Sequence, residues 1–248
     1  MPSGRIAPRR CRAVNARDPL VDVIDVTGRS SLFHGLDTAD TARIAAAASV
    51  RRARRGTVLF KQGDSASEFN FLVDGWVRMT HLTRNGDQVG LRFMRSGDPI
   101  GCQAVFRDMP YPATATICAD ATFLVWKSAF VRETIAASPV VAGNAMDLIG
   151  DRATEFMTKM RELATEPVEK RLARLLVGLV GHSPGRGAEG ISVAFPISRQ
   201  DLAEMCGSNL YTVTRILSRW RDAGHLESGR QRIVVRDVAA IEAIIGEC

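Results

Sequence analysis

Between Ser198 and Ala223 the chain reads SRQDLAEMCGSNLYTVTRILSRWRDA. Tyr211, Thr212, Thr214, Arg215, Ser218, Arg219 and Arg221 are spaced to share one side of a helix. These are hydrogen-bonding and cationic side chains, the kinds that read base edges and neutralise phosphates. Val213, Ile216, Leu217 and Trp220, at offsets of 3, 4 and 7, form the opposite apolar side. A shorter helix must precede it. Ser198 can cap that helix, Leu202, Ala203 and Met205 supply its apolar positions, and Gly207 lies where a tight turn needs positive φ. Gly224 is a stop. LESGRQRIVV then alternates around Ser228-Gly229 as a β-hairpin with Arg230 and Arg232 at its tip. Helix-turn-helix plus basic hairpin is the pattern of a winged helix.

The rest of the composition sets bounds. A chain of 248 residues that is 46% hydrophobic can build two modest domains or one large one. Its net charge of +6 permits a nucleic-acid partner without demanding one. Much of that excess lies in Arg5, Arg9, Arg10, Arg12 and Arg17 and in Arg51, Arg52, Arg54 and Arg55, remote in sequence from the helix pair. Residues 1–19 lack an apolar segment and read as a disordered basic tail rather than a secretory signal. Cys11, Cys102, Cys118, Cys206 and Cys248 are scattered and odd in number. That argues against a disulfide framework or zinc site and for a reducing cytoplasm. No apolar run approaches the roughly 18–20 residues that span a bilayer, so a soluble protein without a membrane partner is expected. Enzyme signatures are missing too. There is no phosphate-cradling glycine loop, His-Glu-x-x-His or nucleophile elbow, and His182 and His225 have no acidic neighbours in sequence.

Taken in order, residues 20–49 read as helical. From Val50 the period changes to short strand-like runs, broken at Gly63-Asp64, Asp74-Gly75, Asn85-Gly86 and Gly97-Asp98. Turns at this spacing predict an antiparallel barrel or roll. Residues 128–164 return to helix, punctuated by Ser138-Pro139. Met146, Ile149, Ala153, Phe156, Met160 and Leu163 then recur at 3, 4, 3, 4 and 3, a coiled-coil seam that predicts self-association. Thr165-Glu166-Pro167 ends this helix. A further helix spans residues 168–181, SPGRGAEG forms a loop, and ISVAFPI is a strand leading into the helix pair. The expected class is α+β. A tail over 1–19 precedes a β-roll sensor domain with flanking helices over 20–137, a dimerisation helix over 138–165 and a winged helix-turn-helix domain over 166–248.

This order of parts resembles the CRP/FNR family of bacterial transcription regulators. The motifs that carry the resemblance are RRGTVLFKQGD, FNFLVDGWVRM, GDPIGCQAVF and ISRQDLAEMCGSNLYTVTRILSRW. It implies a cytoplasmic, non-enzymatic homodimer that binds pseudo-palindromic double-stranded DNA and works with RNA polymerase. Arg215 matches the arginine that contacts guanine, for which a guanidinium fork is the natural partner. Thr214 matches a base-edge serine of the FNR branch, and Arg199, Asn209 and Thr212 match phosphate-holding positions. Gln200, Tyr211, Arg219, Arg230 and Arg232 complete the expected DNA face. Tyr211 replaces a family glutamate and Leu210 an arginine of the cyclic-AMP branch, so neither branch's half-site carries over.

The sensor half departs further from the resemblance. Cys102, after Gly101, stands where cyclic-AMP receptors carry a glutamate for the ribose. Pro112-Ala113 replaces their Arg-Ser pair for the cyclic phosphate, and Phe156-Met157 replaces the polar pair that contacts adenine. A cyclic phosphate buried without a cation would be strongly destabilised. The expected effector pocket, Ile100, Gly101, Cys102, Gln103, Val105, Pro112, Ala113, Phe156 and Met157, is therefore apolar and unfit for cyclic AMP. An iron–sulfur cluster is not expected either, because the tail offers only Cys11. Four possibilities stay open: an apolar effector, a pocket packed shut, a redox-sensing Cys102, and haem with His34, His81, Cys102 and Met157 as candidate ligands. A β-roll docking protein is the other functional class; it gives no reason for the cationic face around Arg215.

Overall fold

The structure, a computed structural model, describes residues 19–183 and 190–246. The expected basic tail with Cys11, nearly all of the SPGRGAEG loop, and Cys248 lie outside the described residues. The predicted N-terminal helix is two helices, α1 (Pro19–Arg29) and α2 (Thr38–Ala46). Between them Ser30 Oγ accepts a bond from the Phe33 amide at 3.1 Å, and Gly35 turns at φ 79°. Asp37 then caps α2 through the Asp40 amide at 2.7 Å. Leu32 and Phe33 are fully buried in this connection.

The strands are β1 (Ser49–Ala53), β2 (Val58–Phe60), β3 (Glu68–Leu82), β4 (Gln88–Arg95), β5 (Pro99–Ile100) and β6 (Thr114–Lys127), with helix α3 (Cys102–Arg107) before β6. They form one antiparallel sheet in the order β1-β6-β3-β4; β2 pairs with β6 and β5 with β3. Phe33, Phe69 and Trp126 meet at its core, with the Trp126 indole donating to the Ile44 carbonyl at 2.8 Å. Gly63-Asp64, Asn85-Gly86 and Gly97-Asp98 fall between strands as expected, but Asp74-Gly75 is not a hairpin turn. It lies inside the 15-residue β3, where the register with β6 shifts. Gly75 has φ 105°, and a Cβ there would stand 2.6 Å from the Asp120 carbonyl. The glycine marks a bulge that lets two backbones approach.

Helix α4 (Ser128–Ala137) stops at Ser138, which caps the 27-residue α5 (Pro139–Thr165). Pro139 opens that helix, where its missing N–H is harmless. At about 1.5 Å per residue α5 is about 40 Å long. Beyond Pro167 come α6 (Val168–Val180), β7 (Ile191–Ser192), α7 (Arg199–Cys206), α8 (Leu210–Asp222), β8 (Leu226–Gly229), β9 (Arg232–Val235) and α9 (Val238–Gly246). Only two residues of the predicted ISVAFPI strand are strand, paired to β9.

These C-terminal elements share a second core, which Trp76 of β3 enters. Phe195 packs at 5.1 Å against both Trp76 and Phe93. Met205 of α7 covers Gly90 of β4, Arg78 pairs with Asp201, and Lys159 donates to the Met205 carbonyl at 2.8 Å. The helix-turn-helix is thus seated on the roll through an apolar centre with a charged edge. No helix among the described residues is long and apolar enough to cross a membrane.

Candidate nucleic-acid interface

The start of α7 is a reciprocal cap. Ser198 Oγ accepts from the Asp201 amide at 3.0 Å, and the Asp201 carboxylate accepts from the Ser198 amide at 2.8 Å. Gly207 ends the helix in left-handed conformation, φ 59°. The turn is then held from below. Arg171 of α6, a buried cation, donates to the carbonyls of Cys206 at 2.9 Å and Glu166 at 2.5 Å. Those acceptors satisfy its donors, so the charge is tolerated in the core. The amphipathic pattern of α6 does not single out Arg171, because its partners are backbone atoms of other elements. Asn209 caps α8, its Oδ1 accepting from the Thr212 amide at 2.8 Å.

Helix α8 divides as its periodicity predicts. Val213, Ile216, Leu217 and Trp220 are buried, and the Trp220 indole donates to Glu169 at 2.8 Å. Tyr211 is 77% exposed, Arg215 is exposed, and Thr212, Thr214 and Ser218 are half-buried beside them. Arg219 is drawn sideways into an ion pair with Glu169 of α6. It stays exposed but is tied to the scaffold, a difference that period alone does not reveal.

The hairpin turns two residues later than its sequence suggests. Gly229 pairs with Arg232, so the two-residue turn is Arg230-Gln231, with Gln231 at φ 58°. Arg230 is exposed at the tip and Arg232 begins β9. Arg199, at the start of α7, donates to Ser228 Oγ of β8 at 3.3 Å and ties the helix pair to the wing. Gln200 is exposed and donates to Glu204 at 3.1 Å.

The expected effector pocket is not brought together. Ile100, Cys102, Val105 and Ala113 are packed into the roll's core, whereas Gln103 and Pro112 are exposed. Phe156 and Met157 stand out from α5 at 64% and 61% exposure instead of lining that site. Tyr111 occupies the space beside Gly101. A Cβ on Gly101 would meet the Tyr111 ring at 2.6 Å. That ring stacks on Phe60 at 3.6 Å, and its hydroxyl donates to the Glu68 carbonyl at 2.6 Å. An anchored tyrosine thus fills the cradle beside Gly101.

Neither redox sensing nor haem finds support at this end of the roll. Burial pushes the Cys102 thiol up to about 11, so it is not the exposed thiolate of a redox sensor. His34, His81, Cys102 and Met157 lie on four separate segments, and both imidazoles bond backbone carbonyls. An open apolar groove lies elsewhere. It has a volume of about 480 Å³, with Phe106, Ile135 and Ala145 in its wall and Met146 and Ile149 of the seam at one side.

The seam itself is bare in the single chain. Met146 is 76% exposed, Phe156 64%, Met160 56%, Leu163 44% and Ile149 36%; Ala153 is exposed between them. Leu163 also touches the helix-turn-helix, since a Cβ on Gly207 would meet its Cδ2 at 2.6 Å.

Comparison with known proteins places this geometry. Residues 170–244 match the Crp-like helix-turn-helix domain, and residues 50–138 match the cyclic nucleotide-binding domain. The chain is 25% identical over 215 residues to the cyclic AMP receptor protein of Thermus thermophilus, covering 87% of this chain and 96% of that protein. It is 24% identical over 202 residues to the anaerobic regulatory protein of Bacillus subtilis, covering 80% and 85%. Among solved structures, FixK2 from Bradyrhizobium japonicum superposes with a TM-score of 0.69 at 21% identity, covering 81% of this chain and 98% of that one. The two matched domains flank the long helix in the order that the strands, seam and helix pair define, and the chain belongs to the CRP/FNR family of bacterial transcription regulators.

Proposed function

We propose that this regulator is a sequence-specific DNA-binding homodimer of the cytoplasm that pairs through α5, engages RNA polymerase, and answers to an effector other than cyclic AMP or to none. The observation that carries the reading is the division of α8. One side is locked by Trp220 and Glu169, and the other presents Tyr211 and Arg215 outward between two capped termini. A solvent-facing arginine on a pinned helix, beside a tyrosine and threonines, suits base edges in a major groove. Arg199, Asn209, Thr212 and the wing tip surround it as phosphate contacts. A pair of such helices related by the two-fold axis of a coiled coil needs two equivalent half-sites, about 10–11 base pairs apart.

Selection from random duplexes tests this reading. The enriched motif should be pseudo-palindromic with that spacing. Recovery of an asymmetric motif, or of none, would remove it. Calorimetry with millimolar cyclic AMP should show no saturable heat, because Tyr111 fills the cradle and Pro112-Ala113 carries no cation. A dissociation constant in the micromolar range would overturn that part.

A further inference from the structure

The apolar groove beside the seam is built where three helices meet. Phe106 comes from the last turn of α3, Ile135 and Ala136 from the last turn of α4, and Ala142 and Ala145 from the start of α5. Each alanine puts a single methyl group into the wall, which leaves a space of about 480 Å³. Small-ligand sites occupy about 300–1,000 Å³. The groove is separate from the cradle beside Gly101 that Tyr111 fills. Of its eight lining residues, Arg132 alone is charged. Arg132 Nη1 donates to the Val105 carbonyl at 3.4 Å and pairs with Asp108 at 2.9 Å. Both contacts use the same nitrogen, and Nε and Nη2 make no hydrogen bond to another described residue. Asp108 caps α3 in left-handed conformation, with its side chain 73% exposed.

We propose that this groove binds a free long-chain carboxylate, with its hydrocarbon tail between α3, α4 and α5 and its head on the unused edge of Arg132. The proposal names a class of effector and rests on the regulator reading above for that role; the binding itself does not depend on it. Apolar walls gain by covering hydrocarbon. The Nε and Nη2 donors lie on one edge of a planar guanidinium and match the two oxygens of a carboxylate. An ammonium head would be repelled there, and a hydroxyl head would fill only part of the fork. Asp108 keeps Nη1, and its charge is screened because it stands mostly in water. Met146 and Ile149 line the groove and also begin the seam. A bound tail therefore touches side chains that pairing through α5 would bury, and this contact is its route to assembly and DNA binding.

Calorimetry with dodecanoate, kept below its aggregation concentration, tests the site. Wild-type protein should bind it saturably. Arg132→Gln should weaken that binding about tenfold to a hundredfold, the loss of one charge-assisted contact, and leave dodecanol binding unchanged. Asp108→Asn should tighten dodecanoate by removing a competing charge, and asparagine tolerates the left-handed cap. Ala136→Phe should abolish binding by filling the groove; Ala136 is exposed on α4, off the seam. Each variant should keep the wild-type thermal transition. Dodecyltrimethylammonium should bind more weakly than dodecanoate. Saturating dodecanoate should change the affinity of wild-type protein for its selected DNA site and leave that of Ala136→Phe unchanged.

Absence of saturable binding to wild type overturns the proposal, as does binding that neither Arg132→Gln nor Ala136→Phe alters. Dodecanol or dodecyltrimethylammonium binding as tightly as dodecanoate overturns the carboxylate head. If dodecanoate fails to bind and Ala136→Phe weakens the dimer in light scattering, a second copy fills the groove instead. If free dodecanoate fails to bind and the protein sediments with phosphatidylglycerol vesicles unless Ala136 is replaced, the groove meets a membrane surface instead. Binding in the expected pattern with unchanged DNA affinity overturns the effector role. Protein that binds dodecanoate in that pattern but selects no DNA site removes the DNA-binding reading and leaves the carboxylate site standing.

Discussion

Arg215→Ala should change the DNA sequence this regulator selects, not merely its strength of binding. Arg215 is exposed on α8, the helix behind it is pinned by Trp220, and among the described residues no acid holds its guanidinium aside. A bidentate contact to guanine discriminates by about 1–3 kcal/mol. Two half-sites per dimer double this to about 2–6 kcal/mol, or about thirtyfold to ten-thousandfold in affinity. The alanine protein should enrich a motif that has lost its guanine preference at one position in each half. Arg199→Ala should behave oppositely, because Arg199 sits at the base of the wing beside Ser228. It should leave the motif intact, lower affinity for all sequences, and flatten the salt slope by about one unit per contact. Selection in parallel separates the two outcomes. An Arg215→Ala protein that enriches the wild-type motif would show that α8 does not read bases as argued.

The second large effect is expected on assembly. Ile149→Glu with Phe156→Glu should convert the protein to a monomer by light scattering, with the roll's thermal transition retained. Met146, Phe156, Met160 and Leu163 each leave more than 40% of their surface in water along one stripe of α5. Withdrawing such a side chain contributes about 1.5–3 kcal/mol when burial is complete. A second copy covers the stripe from both sides, against an association cost of about 4–15 kcal/mol. Four glutamates facing one another across a seam reverse that balance. The monomer should bind palindromic DNA no better than a single half-site, a loss larger than any single DNA-contact substitution gives. A variant that remains dimeric would show that the stripe is covered by something other than its own copy. Leu163 is the poorer choice for this test, since it also packs at Gly207 and its loss would disturb the helix-turn-helix turn.

Much of this molecule was legible in its sequence, and the legible parts share a cause. The faces of α8, the stripe on α5, the cap at Ser198, the break at Ser138-Pro139, and the helix end at Pro167 all arise from interactions within a few residues along the chain. Period and capping chemistry therefore report them directly. Other features depend on what lies across from a residue. Asp74-Gly75 carries a hairpin signal, but β6 passes so close that the glycine becomes a bulge within one long strand. Ser228-Gly229 looks like the wing's turn, yet cross-strand register moves it to Arg230-Gln231. Tyr111 gives no local sign that its ring closes the site beside Gly101. The buried Arg171, the pull of Glu169 on Arg219, and the meeting of Arg55 with Gln231 join residues 35, 50 and 176 positions apart. Such pairings are set by long-range packing, in which each contact depends on the placement of whole elements, so they could be decided only by the tertiary structure.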